Sequence, residues 1–196
     1  MKASKSTKET IRELGMYERN FPSFTIGDTI AVSGIGGLGH LAIQYAKTKG
    51  HKVLAITHSP NKKELAQQLG ADEVIIADKD AASTITALGG IDVLLHTGNA
   101  STMTTSLLPA MNPEGRIVIM GLSDAPIQVS PLSLIHKQLS IKGSMQNKRK
   151  DLIDILQLAK EKKIRPMIEV YPLNQINQVL EKLEQGTIRF RAVIKT

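Results

Sequence analysis

The residues best suited to chemistry lie together in Thr29-Ile30-Ala31-Val32-Ser33-Gly34-Ile35-Gly36-Gly37-Leu38-Gly39-His40, a short apolar run that opens into Gly-x-Gly-x-x-Gly and then into a helical period. Each glycine of that triplet answers a different demand. Gly34 permits a tight turn off a strand, Gly36 lets backbone approach a pyrophosphate, and Gly39 lets the following helix pack closely on the sheet. A diphosphate would sit on the free N–H groups of a helix starting near Leu38, where the helix dipole favours negative charge. The triplet alone is a weak signal. The strand before it, a helix from Leu41 to Lys49 after it and a second strand at Val53 supply the context that dinucleotide binding requires.

The end of the second strand bears on which dinucleotide. It reads Ala55-Ile56-Thr57-His58-Ser59-Pro60-Asn61-Lys62-Lys63, with no acid before Glu64. An NAD site would carry Asp or Glu about 20 residues past the first glycine, to take the ribose hydroxyls. Here Thr57, His58, Ser59 and Lys62 offer hydroxyl, imidazole and ammonium donors suited to a 2′-phosphate, which points to NADP(H). The alternative is that Thr57 and Ser59 cap the next helix and Lys62 is solvated. An S-adenosylmethionine site of this layout would also be expected to close its second strand on an acid. A P-loop would need Gly-Lys-Ser/Thr where this chain has Leu38-Gly39-His40.

The elements that must hold these residues follow from apolar runs at Thr29 to Ser33, Val53 to Ile56, Glu73 to Ile76, Ile91 to Leu95, Arg116 to Met120, Ser140 to Gly143 and Ala192 to Ile194. Most are apolar at consecutive positions, as strands covered on both faces should be, and helical periods separate them. With the glycine loop, the alternation predicts an α/β, Rossmann-type doubly wound parallel sheet over residues 27–196. It should have six strands in the order 3-2-1-4-5-6 and helices on both faces. Gly50, Gly70 and Gly186 fit positions just past helix ends. A helix from about Asp151 to Lys162 presents Leu152, Ile155, Leu156 and Ala159 on one face, and another opening near Asn174 presents Ile176, Val179, Leu180 and Leu183; both stripes are expected to face the core. Residues 1–26 read as a lead-in with one helix, where Ser6 and Glu9 have capping-box spacing.

At 196 residues the chain can bury about two thirds of its unfolded surface and needs no disulfides to fold. It has no cysteine, which excludes thiol chemistry and thiolate metal sites. No run approaches about eighteen apolar residues and no signal-peptide core opens the chain, so the expected compartment is the cytoplasm, without a membrane span. The formal charge of +7 raises nucleic acid as a partner, but only 3% of residues are aromatic and the lysines are scattered. The tight run Lys148, Arg149 and Lys150 reads as solvated surface.

Four stretches together resemble one family: GIGGLGHLAIQYAK (Gly34 to Lys47), LGADEVI (Leu69 to Ile75), PEGRIVIMGL (Pro113 to Leu122) and LSIKGS (Leu139 to Ser144). They are similar to the cofactor domain of medium-chain, zinc-type alcohol dehydrogenases, in particular the cinnamyl-alcohol-dehydrogenase-like, NADP-preferring branch. The resemblance implies that Gly34, Ile35, Gly36, Gly37 and Leu38 hold the pyrophosphate and that Thr57, Ser59 and Lys62, in TxSxxK, hold the 2′-phosphate. It also implies that Thr97, Gly98, Gly121, Leu122, Gly143 and Ser144 line the nicotinamide half and that Arg191 reaches the cofactor. His96 departs from the family pattern; its side chain either faces the crevice or is a satisfied structural histidine, and the second reading is preferred. The resemblance further implies a homodimer paired through the edge strand 139–144.

The family's zinc is held by cysteine and histidine ligands in a separate catalytic domain, which this chain is expected to lack. Its histidines, His40, His51, His58, His96 and His136, have no pair at short ligand spacing, and no GxSxG nucleophile motif occurs. The expectation is therefore a truncated NADP(H)-binding part of an alcohol or aldehyde oxidoreductase, with no catalytic residue or metal ligand of its own and an apolar patch where a catalytic domain would cover it. The alternative is a stand-alone nucleotide-binding or interaction module, such as an NADPH sensor or one subunit of a split enzyme.

Overall fold

The computed structural model describes residues 27–145 and 149–196. The helix expected within residues 1–26 and Lys148 of the basic run lie outside the described residues. Six strands, β1 (Thr29–Ser33), β2 (Lys52–Thr57), β3 (Glu73–Ile76), β4 (Ile91–His96), β5 (Met111–Ile119) and β6 (Ser140–Gly143), form a parallel sheet in the order β3-β2-β1-β4-β5-β6. Between them run α1 (Gly39–Thr48), α2 (Lys63–Gln68), α3 (Ala81–Ala87), α4 (Ser101–Leu107) and α5 (Pro131–Lys137), with α6 (Arg149–Lys162) after β6. The predicted fold class and strand order hold.

The consecutive apolar runs are explained by two core layers, because successive strand residues point to opposite faces. On one face Ile30, Val32, Val53, Ala55, Val93 and Leu95 pack with Ile43 and Ala46 of α1 and Ala66 of α2. On the other, Ala31, Leu54, Ile56, Leu94 and Ile117 pack with Ile85 of α3 and Leu107 of α4. Each fully buried Val, Leu or Ile contributes about 1.5–3 kcal/mol before chain entropy is counted. At the amino edge of the sheet, two carboxylates take backbone donors that the ladder leaves unmatched. Asp92 accepts the Thr29 N–H at 2.7 Å and Asp72 accepts the Val53 N–H at 2.8 Å. The helix-ending glycines Gly50, Gly70 and Gly186 have φ of 81, 106 and 65°, as expected.

Two expectations need correction. The last apolar run lies in β8 (Arg191–Lys195), which pairs in parallel with β7 (Ile168–Pro172) in a separate two-stranded sheet, joined through α7 (Ile176–Glu184). β7 is absent from the consecutive apolar runs because Ile-Glu-Val-Tyr-Pro has the alternating pattern of a strand covered on one face only, and its burial alternates accordingly. The second correction concerns the stripes on α6 and α7. Leu152, Leu156 and Leu180 are each more than half exposed, and only Leu158 of α6 and Val179 of α7 are buried. Periodicity identifies an apolar face but not what covers it.

Three imidazoles are buried: His40, His51 and His96. Burial, the largest influence in each case, holds their pKa below the ordinary 6.5, for His51 in spite of the nearby Asp28 carboxylate. The unfolded chain therefore takes up these protons first as the pH falls. Their stabilising effect is complete above about pH 6.5 and is lost as pH drops from there through the lowered folded-state values, at about 1.4 kcal/mol per pH unit for each proton. The urea midpoint should fall clearly between pH 7.5 and 5.5; an unchanged midpoint would refute this account.

Candidate dinucleotide site

Strand order reverses between β1 and β4, so helices leave the two strands toward opposite faces and a crevice opens at their carboxyl ends. A cavity of about 420 Å³ occupies that position. It is lined by Gly34 to Gly37 after β1, by Thr57, His58, Ser59 and Lys62 after β2, and by Thr97 and Gly98 after β4. Ten of the residues singled out in the sequence thus meet around one space, from three separate loops.

The turn off β1 is defined by backbone contact. Gly34 has φ +92°, its N–H donates to Ile56 O at 3.0 Å, and a Cβ there would lie 2.7 Å from Gly98 N. A Cβ on Gly39 would lie 2.0 Å from Gly34 O, so α1 can start where it does only with glycine at its first residue. The Thr97 hydroxyl lies 2.6 Å from Gly34 O and closes the same turn. Gly36 has nothing within 4 Å of where its Cβ would be, and among the described residues neither its N–H nor that of Gly37 has a hydrogen-bond acceptor. Open space beside two free donors suits an oxyanion.

After β2, the Ser59 N–H donates to Thr57 Oγ1 at 3.1 Å, a local turn that uses part of the buried Thr57 hydroxyl's capacity. Neither Thr57 nor Ser59 caps a helix through its side chain: Ser59 precedes the 3-10 turn Pro60–Lys62 with no side-chain cap bond. Lys62 is turned back over the glycine loop, its Nζ donating to Ile35 O at 2.9 Å. The ammonium is therefore held at the cavity lining by a backbone carbonyl.

The remaining candidates stand apart from the cavity lining. Leu38 is exposed, and Gly39 is consumed by the contact with Gly34. Gly121 serves close packing, since a Cβ would lie 1.7 Å from Gly98 O; the adjoining Leu122 is exposed. Gly143 ends β6, and just past it the Ser144 N–H donates to Ile119 O at 2.8 Å. Arg191 opens β8, and its Nε donates to Gly37 O at 3.0 Å, so it braces the loop from behind. Lining residues that the sequence did not single out include Ser33, Ile56, Asn99, Ala100 and Met103. Their neighbours in sequence were the only signal. His96 is buried, its Nδ1 lies 2.8 Å from Ser33 Oγ and it also lines the cavity, so it is both hydrogen-bonded within the core and placed at the crevice.

Among the described residues, no group of three or more His, Cys, Asp and Glu stands together that could hold a metal ion. Nor is any described helix long and apolar enough to cross a membrane.

A family model for zinc-binding dehydrogenases matches residues 37–161. An alcohol dehydrogenase of Geobacillus stearothermophilus is 37% identical over 171 residues, covering 86% of this chain and 51% of the relative. A probable cinnamyl alcohol dehydrogenase of Oryza sativa subsp. japonica is 32% identical over 169 residues, covering 86% and 46%. Among solved structures, a cinnamyl alcohol dehydrogenase from Sorghum bicolor superposes with a TM-score of 0.78 at 28% identity, covering 96% of this chain and 51% of that one. The alcohol dehydrogenase of Aeropyrum pernix gives 0.81 at 27%, with 97% and 55% covered. The chain spans about half the length of the curated relatives it matches. Fold, glycine loop and relatives agree that this chain belongs to the zinc-binding dehydrogenase family, the medium-chain zinc-type alcohol dehydrogenases, and carries their cofactor-binding part.

Proposed function

We propose that the chain is the NADP(H)-binding half of an alcohol or aldehyde oxidoreductase. The observation that carries this is the cavity at the strand reversal, where a glycine loop with free N–H groups faces a second strand ending in Thr57, His58, Ser59 and Lys62 instead of a carboxylate. The cofactor supplies a nicotinamide that accepts or gives up hydride. Gly36 and Gly37 would bind its diphosphate, while Ser59, Lys62 and the exposed His58 would bind the 2′-phosphate. Thr97 and Gly98, with Gly121, Leu122, Gly143 and Ser144 on the neighbouring strand ends, would bound the nicotinamide half. Lys62 would exchange its bond to Ile35 O for a charge-assisted one to phosphate.

The described residues do not fit a zinc centre, so polarisation of the alcohol oxygen is assigned to none of them. The exposed apolar residues of α6, α7 and the β7–β8 sheet, among them Leu152, Leu156, Val170 and Leu180, support a role within a larger assembly that would cover them. A homodimer through β6, the last strand of the six-stranded sheet, completes the proposal: pairing across a two-fold axis would continue the sheet from one copy into the next.

Three outcomes are expected. Titration should show NADPH bound about 10- to 100-fold more tightly than NADH, and Lys62→Ala should remove about tenfold of NADPH affinity while leaving NADH unchanged. Equal wild-type affinities would overturn the assignment. Purified chain given an alcohol, NADP⁺ and zinc should produce no NADPH; turnover by these residues alone would show that a catalytic centre has been overlooked. Sedimentation should give a dimer that Ile141→Pro dissociates, whereas a monomeric wild type at micromolar concentration would rule out the edge pairing.

A further inference from the structure

His40 follows the last glycine of the loop and is fully buried on α1. Its Nδ1 lies 2.9 Å from Gly36 O and its Nε2 lies 3.0 Å from Met167 N. A carbonyl can only accept and an amide N–H can only donate, so Nδ1 carries the proton and Nε2 is bare. The geometry therefore selects one neutral tautomer. One nitrogen grips the glycine loop, and the other grips the chain just ahead of β7, 127 residues away in sequence.

The surroundings repeat this connection. Gln44, one turn along α1, donates to Arg165 O at 3.1 Å and accepts from Arg165 N at 3.3 Å. Arg191 donates to Gly37 O. Between them the Phe190 ring lies 4.8 Å from the imidazole, and Phe190 is held at φ 70°, a left-handed conformation that a phenylalanine adopts only under constraint. Its carbonyl oxygen occupies the place that a Cβ on Gly37 would need, 2.8 Å away. A side chain that merely filled the core would not require two opposed hydrogen-bonding nitrogens, since an apolar residue of similar volume would do.

We propose that His40 is a positioning residue that splints Gly36 to Met167 and so fixes the glycine loop with its N–H groups presented to the diphosphate of a dinucleotide. The proposal rests on the cofactor site described above, and His40 is not expected to touch the cofactor. A loop held in its binding shape before the ligand arrives avoids the ordering cost of binding, so the effect should appear in diphosphate affinity.

The test compares two ligands on the full 196-residue chain. NADP⁺ uses the loop; adenosine 2′-monophosphate carries the adenine and 2′-phosphate but no diphosphate. His40→Phe keeps the ring contact with Phe190 and removes both bonds. It should weaken NADP⁺ about tenfold and leave adenosine 2′-monophosphate within about twofold, and nitrogen NMR of the wild type should show a neutral imidazole protonated at Nδ1. Unchanged NADP⁺ affinity, or equal loss of both ligands, would overturn the positioning role. Should that variant fail to fold, His40→Gln, which keeps an acceptor for the Met167 N–H, and His40→Asn, which keeps a donor for the Gly36 carbonyl, carry the same comparison. If the wild type binds neither NADP⁺ nor NAD⁺, the cofactor site itself falls and His40 with it, a result distinct from loss in the variants alone.

Discussion

At the carboxyl end of the central strands, backbone meets backbone more closely than any side chain would allow. Gly34 turns against Gly98, Gly39 rests on the Gly34 carbonyl, and Gly121 presses on the Gly98 carbonyl. These contacts bring the ends of β1, β4 and β5 together and start α1 directly over the turn. Methyl groups at Gly34, Gly39 and Gly121 would force the segments apart, because the atoms they would strike are themselves backbone and cannot rotate away. The crevice that could take a dinucleotide exists because these segments are so close.

The rest of the molecule supports that junction from two directions. Beneath it, the doubly covered sheet supplies a rigid base, with Asp72 and Asp92 receiving the strand-start donors at its opposite edge. Behind it, His40, Gln44 and Arg191 tie the loop and α1 to the segments flanking the small second sheet. In the second sheet and its helix, Val170, Val193, Leu180 and Leu183 remain substantially exposed, and the hydrogen bonds to His40, Gln44 and Gly37 tie this part of the chain to α1 and the loop.

Legibility varied with the range of the interaction. The glycine loop could be read because its demands are local: a turn, a close approach and a helix start within six residues. The apolar strands could be read because burial on both faces removes polar residues from a short run. The opposite holds for β7, whose alternating residues carry no mark of the partner strand, and for the stripes on α6 and α7, whose period is genuine although little covers them. Ser33 and Asn99 reach the cavity as neighbours of Gly34 and Gly98, and Met103 as part of the helix that follows, but nothing in their types announces it.

By itself the sequence determined the doubly wound class, the strand order and the loops that would face one crevice, since hydrophobic period and glycine placement act within a few residues of each other. It also specified a second strand without a terminal carboxylate. Tertiary structure alone decided that Lys62 is folded back onto Ile35, that Thr97 closes the Gly34 turn and that Arg191 braces Gly37 from a separate sheet. It decided the protonation of His40 as well, because a histidine's tautomer depends on which backbone groups lie opposite its two nitrogens, and one of those groups is 127 residues away.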